Sequence, residues 1–368
     1  SMSNKMNPIL IMTFFMMMNG CVHKEKADMI LVNGQIYAVD SVFSVKQAFA
    51  VTGGTFVAVG SNDEIMGAYE SDLIIDANGK AVFPGLIDGH CHFLGYASNQ
   101  YNGINLKGTQ SFSEIIEMLK TFHHQNPENW IVGFGWDQND WEIKEFPDNI
   151  LLDQNFPDNP VVLVRIDGHA VLANSKALQQ VNIKPDTKIP GGKILLKDGK
   201  PTGILLDNAA DVLRGSIPRP DAEAKKKALK QAQHECFSLG LTSVVDAGVD
   251  YQDVLMIDSM QVEGSLKMKI NAMLSPTRRN LDEFVKKGPF QKERLTVNSV
   301  KLYADGALGS RGALLLEPYS DDPGNYGLQM SEPEYFRQVI KLAHENGFQV
   351  CTHCIGDSAN RMMLHLYG

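Results

Sequence analysis

The sequence predicts an α/β fold: a (β/α)8 TIM-like barrel, incomplete at its C-terminal end, with a partial N-terminal β-sandwich and an inserted subdomain. Three observations predict it. Residues 28–83 hold short β-branched segments punctuated by glycine, as a small β unit would. Beyond Pro84, apolar strands alternate with helical stretches, the pattern of parallel βα units. Between the first and second of those strands lies an interval of residues 100–220, too long for a structureless loop and therefore a subdomain of its own.

Taken in order, residues 1–27 read as a leader and tether. Lys5 precedes an apolar run, Ile9 to Met18, too short to span a bilayer but suited to the core of a signal peptide. The run ends in Met18-Asn19-Gly20-Cys21, which resembles a bacterial lipoprotein signal with Cys21 as the lipidated residue. Gly20 fits that box, while Met18 and Asn19 stand where Leu and then Ala or Ser are common. The expectation is a protein anchored in the cell envelope or periplasmic. The plainer alternative is a frayed apolar tail on a cytoplasmic protein, and Ser1 ahead of Met2 looks like an expression scar.

Within residues 28–83, the segments Asp28 to Val39, Ala48 to Val59 and Asp72 to Phe83 are expected as antiparallel strands, turned at Gly34, Gly53-Gly54 and Gly79. Residues 84–368 offer five core strands: Gly85 to Cys91, Thr242 to Asp246, Met268 to Leu274, Val297 to Ala304 and Phe348 to His353. Helices are expected over Asp221 to Leu239 and Glu332 to Asn346, and the insert carries the strand-like runs NWIVGFGW and PVVLVRI. A closed barrel needs eight strands, so five leave two edges unpaired, which would favour a homo-oligomer.

Composition narrows the function classes. With 43% hydrophobic and 21% charged residues in 368, the chain suits a packed barrel plus a small domain. A net charge of −9 without a long Lys/Arg run argues against nucleic acid and for a small-molecule substrate. The five cysteines, Cys21, Cys91, Cys236, Cys351 and Cys354, are odd in number and unframed, which argues against a disulfide scaffold; Cys351 and Cys354 read as small core thiols.

The chemistry starts at GLIDGHCHF. His90 and His92 alternate about Cys91 at the end of an apolar strand, so both imidazoles face one way and can share a metal. Two more strands each set a single basic residue among apolar ones, Lys301 in SVKLYADGAL and His353 in FQVCTHC. A buried lysine without a carboxylate partner is costly unless neutralised or modified. His123, His124, His234 and His344 fall on polar helical stretches and read as solvated.

The junction at Pro84 to His92 resembles the barrel entry of the amidohydrolase superfamily. Together with GWDQNDW, IDGHAVLANSKAL, PTGILLDNA, VKLYADGALGSRGA and THCIGDSAN, in that order from Asp28 to Asn360, it is similar to the amidohydrolase-3, or YtcJ-like, branch that includes N-substituted formamide deformylases. The resemblance implies one or two divalent cations, zinc in the first instance. His90 and His92 match the first-strand ligands, His353 a later one, and Lys301 the position of a carboxylated bridging lysine. The alternative for Lys301 is an ammonium paired with Asp305 or Asp246. It further implies a metal-activated water that cleaves a C–N bond of an amide-like or cyclic amide substrate. The resemblance also implies later strands with another histidine and a metal-binding aspartate; these are not seen before Gly368, and His365 is a poor substitute. A fragment of a longer protein, a disrupted frame and a short form completed by another chain stay open as expectations.

For substrate contacts the candidates are Trp136, Asp137, His169 and Arg311. Each has a plainer alternative: a buried Trp with an Asp cap, a histidine on a backbone carbonyl, and a surface salt bridge. The rival function is a catalytically inactive, truncated amidohydrolase-like binding protein.

Overall fold

The computed structural model describes residues 23–127 and 130–368, so the leader and Cys21 lie outside the described residues. They form two units, divided after Gly85. No helix among the described residues is long and apolar enough to cross a membrane.

The first unit holds a four-stranded sheet in the order Thr55–Gly60, Ala48–Thr52, Met29–Val32, Ile74–Asp76, and a three-stranded one in the order Val45–Lys46, Gln35–Tyr37, Ala81–Val82. Ile30, Ala48, Ala50 and Ile65 form its small core. The expected all-antiparallel pairing does not form. The third segment pairs parallel to the first, with Ile30 opposite Ile74 and Gln35 opposite Ala81. The reason is the helix Asn62–Ala68, started by a Ser61–Glu64 capping box, which provides a crossover where a hairpin would have reversed the chain.

The second unit is built on five parallel strands: β1 (Leu86–Cys91), β2 (Leu241–Val249), β3 (Lys269–Leu274), β4 (Leu295–Tyr303) and β5 (Gln349–His353), in that spatial order. This is an open half-barrel sheet. The short strand Phe290–Gln291 forms a hairpin with the start of β4. Helices α1 (Phe93–Asn102), α2 (Ala222–Ser238), α3 (Tyr251–Val262), α4 (Pro333–Glu345) and α5 (Asp357–Tyr367) accompany the strands. Val244, Ile270, Leu274, Val300 and Leu302 pack against Leu229, Ile257, Phe336 and Met363 from these helices. Each such aliphatic burial contributes about 1.5–3 kcal/mol. Leu86 and Ile87 at the start of β1 remain exposed.

The interval between β1 and β2 folds on a sheet of its own. Its order is Ile104–Asn105, Ile131–Trp136, Val161–Arg165, Ala170–Ala173, Lys200–Asp207, Gly192–Lys197, parallel through the first three and antiparallel afterwards. Every residue of Val161–Arg165 is buried. Alternation sends Val161 and Leu163 to one core and Val162 and Val164 to another, so apolar layers cover both faces.

Candidate metal centre

The ionisable residues gather at the C-terminal ends of the parallel strands, where barrels place their chemistry. His90 on β1 and His92 just past its end, at the N-cap of α1, have ring centroids 5.8 Å apart with planes at 85°. Both residues are solvent-exposed. His92 Nδ1 lies 3.0 Å from the Ala247 carbonyl oxygen at the end of β2. A carbonyl only accepts, so Nδ1 carries the proton and Nε2 keeps its lone pair.

From β4 comes Lys301, only 3% exposed. Its Nζ stands 3.4 Å from His90 Nε2 and 5.1 Å from the centroid of the Tyr303 ring. The carboxylates that would pair with an ammonium here are engaged elsewhere. Asp246 accepts from the backbone N–H groups of Phe93 and Leu94 at 2.9 and 3.1 Å, capping α1 from another strand, and burial pushes its carboxyl up to about 7 against their pull. Asp305 accepts from Leu314 N and Gly356 N at 2.8 Å and from Ile355 N at 2.9 Å. Burial accordingly moves the Lys301 amine below its ordinary range, opposed by the thiols of Cys351 and Cys354. These two cysteines are half-buried rather than fully in the core, and both are free.

On β5, His353 has its ring centroid 4.7 Å from His169 and 5.6 Å from Tyr303, with Nε2 3.0 Å from the Gly306 carbonyl oxygen. Desolvation lowers the pKa of His90, His92 and His353, reinforced at His90 by Lys301. All three are thereby favoured as neutral rings, the ligand form.

This donor set fits a borderline divalent cation. Imidazole nitrogens and an amine held toward its uncharged form are the chemistry such ions take. The fit is strongest at the corner made by His90, His92 and Lys301. Among the described residues, no three His, Cys, Asp or Glu side chains gather closely enough to hold an ion by themselves.

The substrate candidates divide. His169, from the loop before Ala170–Ala173, meets the cluster: its ring lies over His353, and its Nδ1 is 2.9 Å from Asp207 Oδ1. Trp136 and Asp137 take their plainer alternatives. The Trp136 indole is 1% exposed, donates to the Leu163 carbonyl at 2.8 Å and stacks on Trp141. Asp137 caps the short helix Gln138–Asp140 and pairs with the buried Arg165. Arg311 is held by Asp321 at 2.6 Å and lines a cavity of about 230 Å³ with Lys144, Lys193 and Asn325, none of which belongs to the histidine cluster. His123, expected to be solvated, is half-buried with its ring edge-on to Phe156.

Asp207 is not among the residues expected at the site, and Asp246 and Asp305 are expected there only as ion-pair partners. They share a signal, since each is the lone acid closing an apolar run, in ILLD, SVVD and LYAD. At Asp207 the backbone adopts φ 52°, ψ −122°, which costs a non-glycine residue on the order of 1–3 kcal/mol.

Comparison with known proteins places the chain in a family. A profile of the amidohydrolase family, Amidohydro_3, matches residues 73–367. The chain is 34% identical over 93% of its length to Protein LONG AFTER FAR-RED 3 of Arabidopsis thaliana, and 32% identical over 90% to the putative amidohydrolase YtcJ of Bacillus subtilis. It spans 61% and 64% of those relatives. N-substituted formamide deformylase of Arthrobacter pascens is 32% identical over 61% of the chain. An uncharacterized metal-dependent hydrolase from Pyrococcus horikoshii superposes with a TM-score of 0.67 at 29% identity, covering 92% of this chain and 67% of that one. Family profile and relatives agree with each other, and the chain belongs to the amidohydrolase family, in its amidohydrolase-3, YtcJ-like branch.

Proposed function

We propose that this protein is a metal-dependent hydrolase that cleaves carbon–nitrogen bonds in non-peptide amides, linear or cyclic, with His90, His92, Lys301 and His353 as the ligand set and zinc as the first metal to test. The single observation that carries the proposal is Lys301. Its amine is buried beside His90 Nε2, and Asp246 and Asp305, the acids offered by the sequence as its partners, are spent on backbone N–H groups. An isolated buried ammonium is disfavoured, so the site favours an uncharged or modified amine. That is the form able to ligate, or to take up carbon dioxide as a carbamate.

A bound cation would supply Lewis-acid polarisation of a carbonyl and a lowered water pKa. The chain's own groups do the rest. His92 is oriented by the Ala247 carbonyl, His169 reaches the cluster from the insert to meet the substrate, and Tyr303 walls the space beside Lys301 and His353. Arg311, with its guanidinium on Asp321, is proposed only as a more distant contact for an anionic substrate tail. One observation favours the rival, a binding protein without turnover: no three-ligand His, Cys, Asp or Glu group is assembled among the described residues.

The full chain loaded with Zn²⁺ or Mn²⁺ is to be assayed for amine release from N-formyl amines, linear amides and cyclic amides. The expected result is turnover of at least one class, abolished by a chelator and restored by metal. Metal-replete protein inert toward all three classes would favour the rival.

A further inference from the structure

Deepening that hydrolase reading, and resting on it for the word substrate, we infer that Asp207 is a positioning residue that holds His169 with its Nδ1 proton bonded to the carboxylate and its Nε2 free to meet the substrate.

Asp207 closes the strand Lys200–Asp207 and sits at the N-cap of the helix Asn208–Arg214, yet its side chain makes no capping hydrogen bond. The positive φ therefore does not serve the helix. A strained strand-to-helix elbow throws its side chain sharply out of the sheet, and such outliers mark functional sites. Here the carboxylate is thrown onto His169, with Oδ1 2.9 Å from Nδ1. The Asp207 side chain is wholly inaccessible, whereas that of His169 keeps 14% exposure. A buried carboxylate cannot touch a substrate itself, so it must act through the imidazole.

The surroundings are cut to fit this pair. A Cβ at Gly306 or Gly312 would come within 2.5 Å of an Asp207 carboxylate oxygen, so the loop after β4 makes room only because it is glycine at both places. The Gly306 carbonyl also receives His353 Nε2, so one residue clears Asp207 and fixes the ring that His169 lies over. The His169 backbone is pinned on both sides. Its N–H donates to Asp167 Oδ1 at 3.0 Å, Asp167 pairs with Arg165, and its carbonyl accepts from Asp207 N at 2.8 Å.

A role in stability alone does not explain what remains. Asp207 Oδ2 is buried without a hydrogen-bond partner, and burial raises the pKa of the group. Backbone strain and an orphaned oxygen both weaken the fold, which is the signature of a residue kept for what it does. A carboxylate behind an imidazole selects the tautomer and aims the other nitrogen.

The test uses the full chain with ¹⁵N-labelled histidine, ten residues in all, in long-range ¹H–¹⁵N spectra recorded above the histidine titration range. His169 is identified by the signals absent from His169→Gln. The wild-type ring is expected to carry its proton on Nδ1, and a proton on Nε2 overturns the inference whatever the variants do. Asp207→Gly removes both carboxylate and strain. It is expected to melt no lower than wild type, to lose the Nδ1–H form, and to lower kcat by about 10–100-fold on any substrate found. Persistence of Nδ1–H in that variant overturns the proposal, as does a switched tautomer with kcat and KM unchanged. If the tautomer switches as expected while wild type turns over no amide, the hydrolase reading fails and the positioning of His169 stands.

Discussion

Alanine at His90 or at His92 is expected to weaken divalent-metal binding by more than about 100-fold, beyond what removing a supporting residue costs, while the melting curve stays close to that of wild type. Both residues are exposed and neither belongs to the apolar core, so their loss opens no cavity. Their chemistry lies in the nitrogens. His92 keeps Nε2 free because its Nδ1–H donates to the Ala247 carbonyl, and His90 Nε2 faces the Lys301 amine. The two variants should differ in one respect. His92→Ala gives up a backbone hydrogen bond, whereas His90→Ala removes the imidazole beside the buried amine. Competition with a chromophoric chelator measures the affinity, and thermal melts control for folding. Unchanged affinity in both variants removes the pair from the ligand set.

Asp305→Ala carries the largest expected cost in stability, about 3–5 kcal/mol. The carboxylate is fully buried and accepts three backbone N–H bonds at once, from Leu314, Ile355 and Gly356. Hydrogen bonds to a charged acceptor are each worth about 1.5–3 kcal/mol, and truncation leaves the three donors orphaned. Nothing nearby can substitute. A Cβ at Gly356 would lie 1.8 Å from the Leu314 carbonyl oxygen, so the two loops are already in closest contact. Asp305→Asn should also destabilise, by a smaller margin, because its amide group turns a donor toward one of the N–H groups. Urea unfolding followed by circular dichroism reads both effects. A midpoint unchanged in Asp305→Ala would mean that the carboxylate does not hold the β4 and β5 loops together.

The five barrel strands were legible because each is an apolar run bounded by polar or glycine-rich turns, and β1 through β5 fall within a few residues of the expected spans. The insert was legible as a length that no loop explains, and NWIVGFGW and PVVLVRI are neighbouring parallel strands in it. Strand direction in residues 28–83 was not legible, because it turns on the short helix Asn62–Ala68 and not on the strands themselves. At the centre, His90 and His92 announced themselves by alternation, and Lys301 by being a lone cation in an apolar strand. The acids stood out only as the ends of apolar runs, and their roles were hidden because their partners lie elsewhere in the chain: His169 for Asp207, the start of α1 for Asp246, and for Asp305 both the loop at Leu314 nearby and the distant one at Ile355. Trp136 and Asp137 misled for the converse reason. An aromatic–acid pair beside a glycine-rich strand looks the same whether it lines a pocket or, as here, closes a core and caps a turn.

On the proposed function, the strand-end cluster holds a divalent cation. Anomalous diffraction at the zinc edge from crystals of the zinc-loaded protein tests it most directly, with Lys301→Ala crystals as the comparison. The expected result is a peak bounded by His90, His92 and Lys301 that weakens or vanishes in the variant. No peak there, or one of unchanged height and position without Lys301, would contradict it.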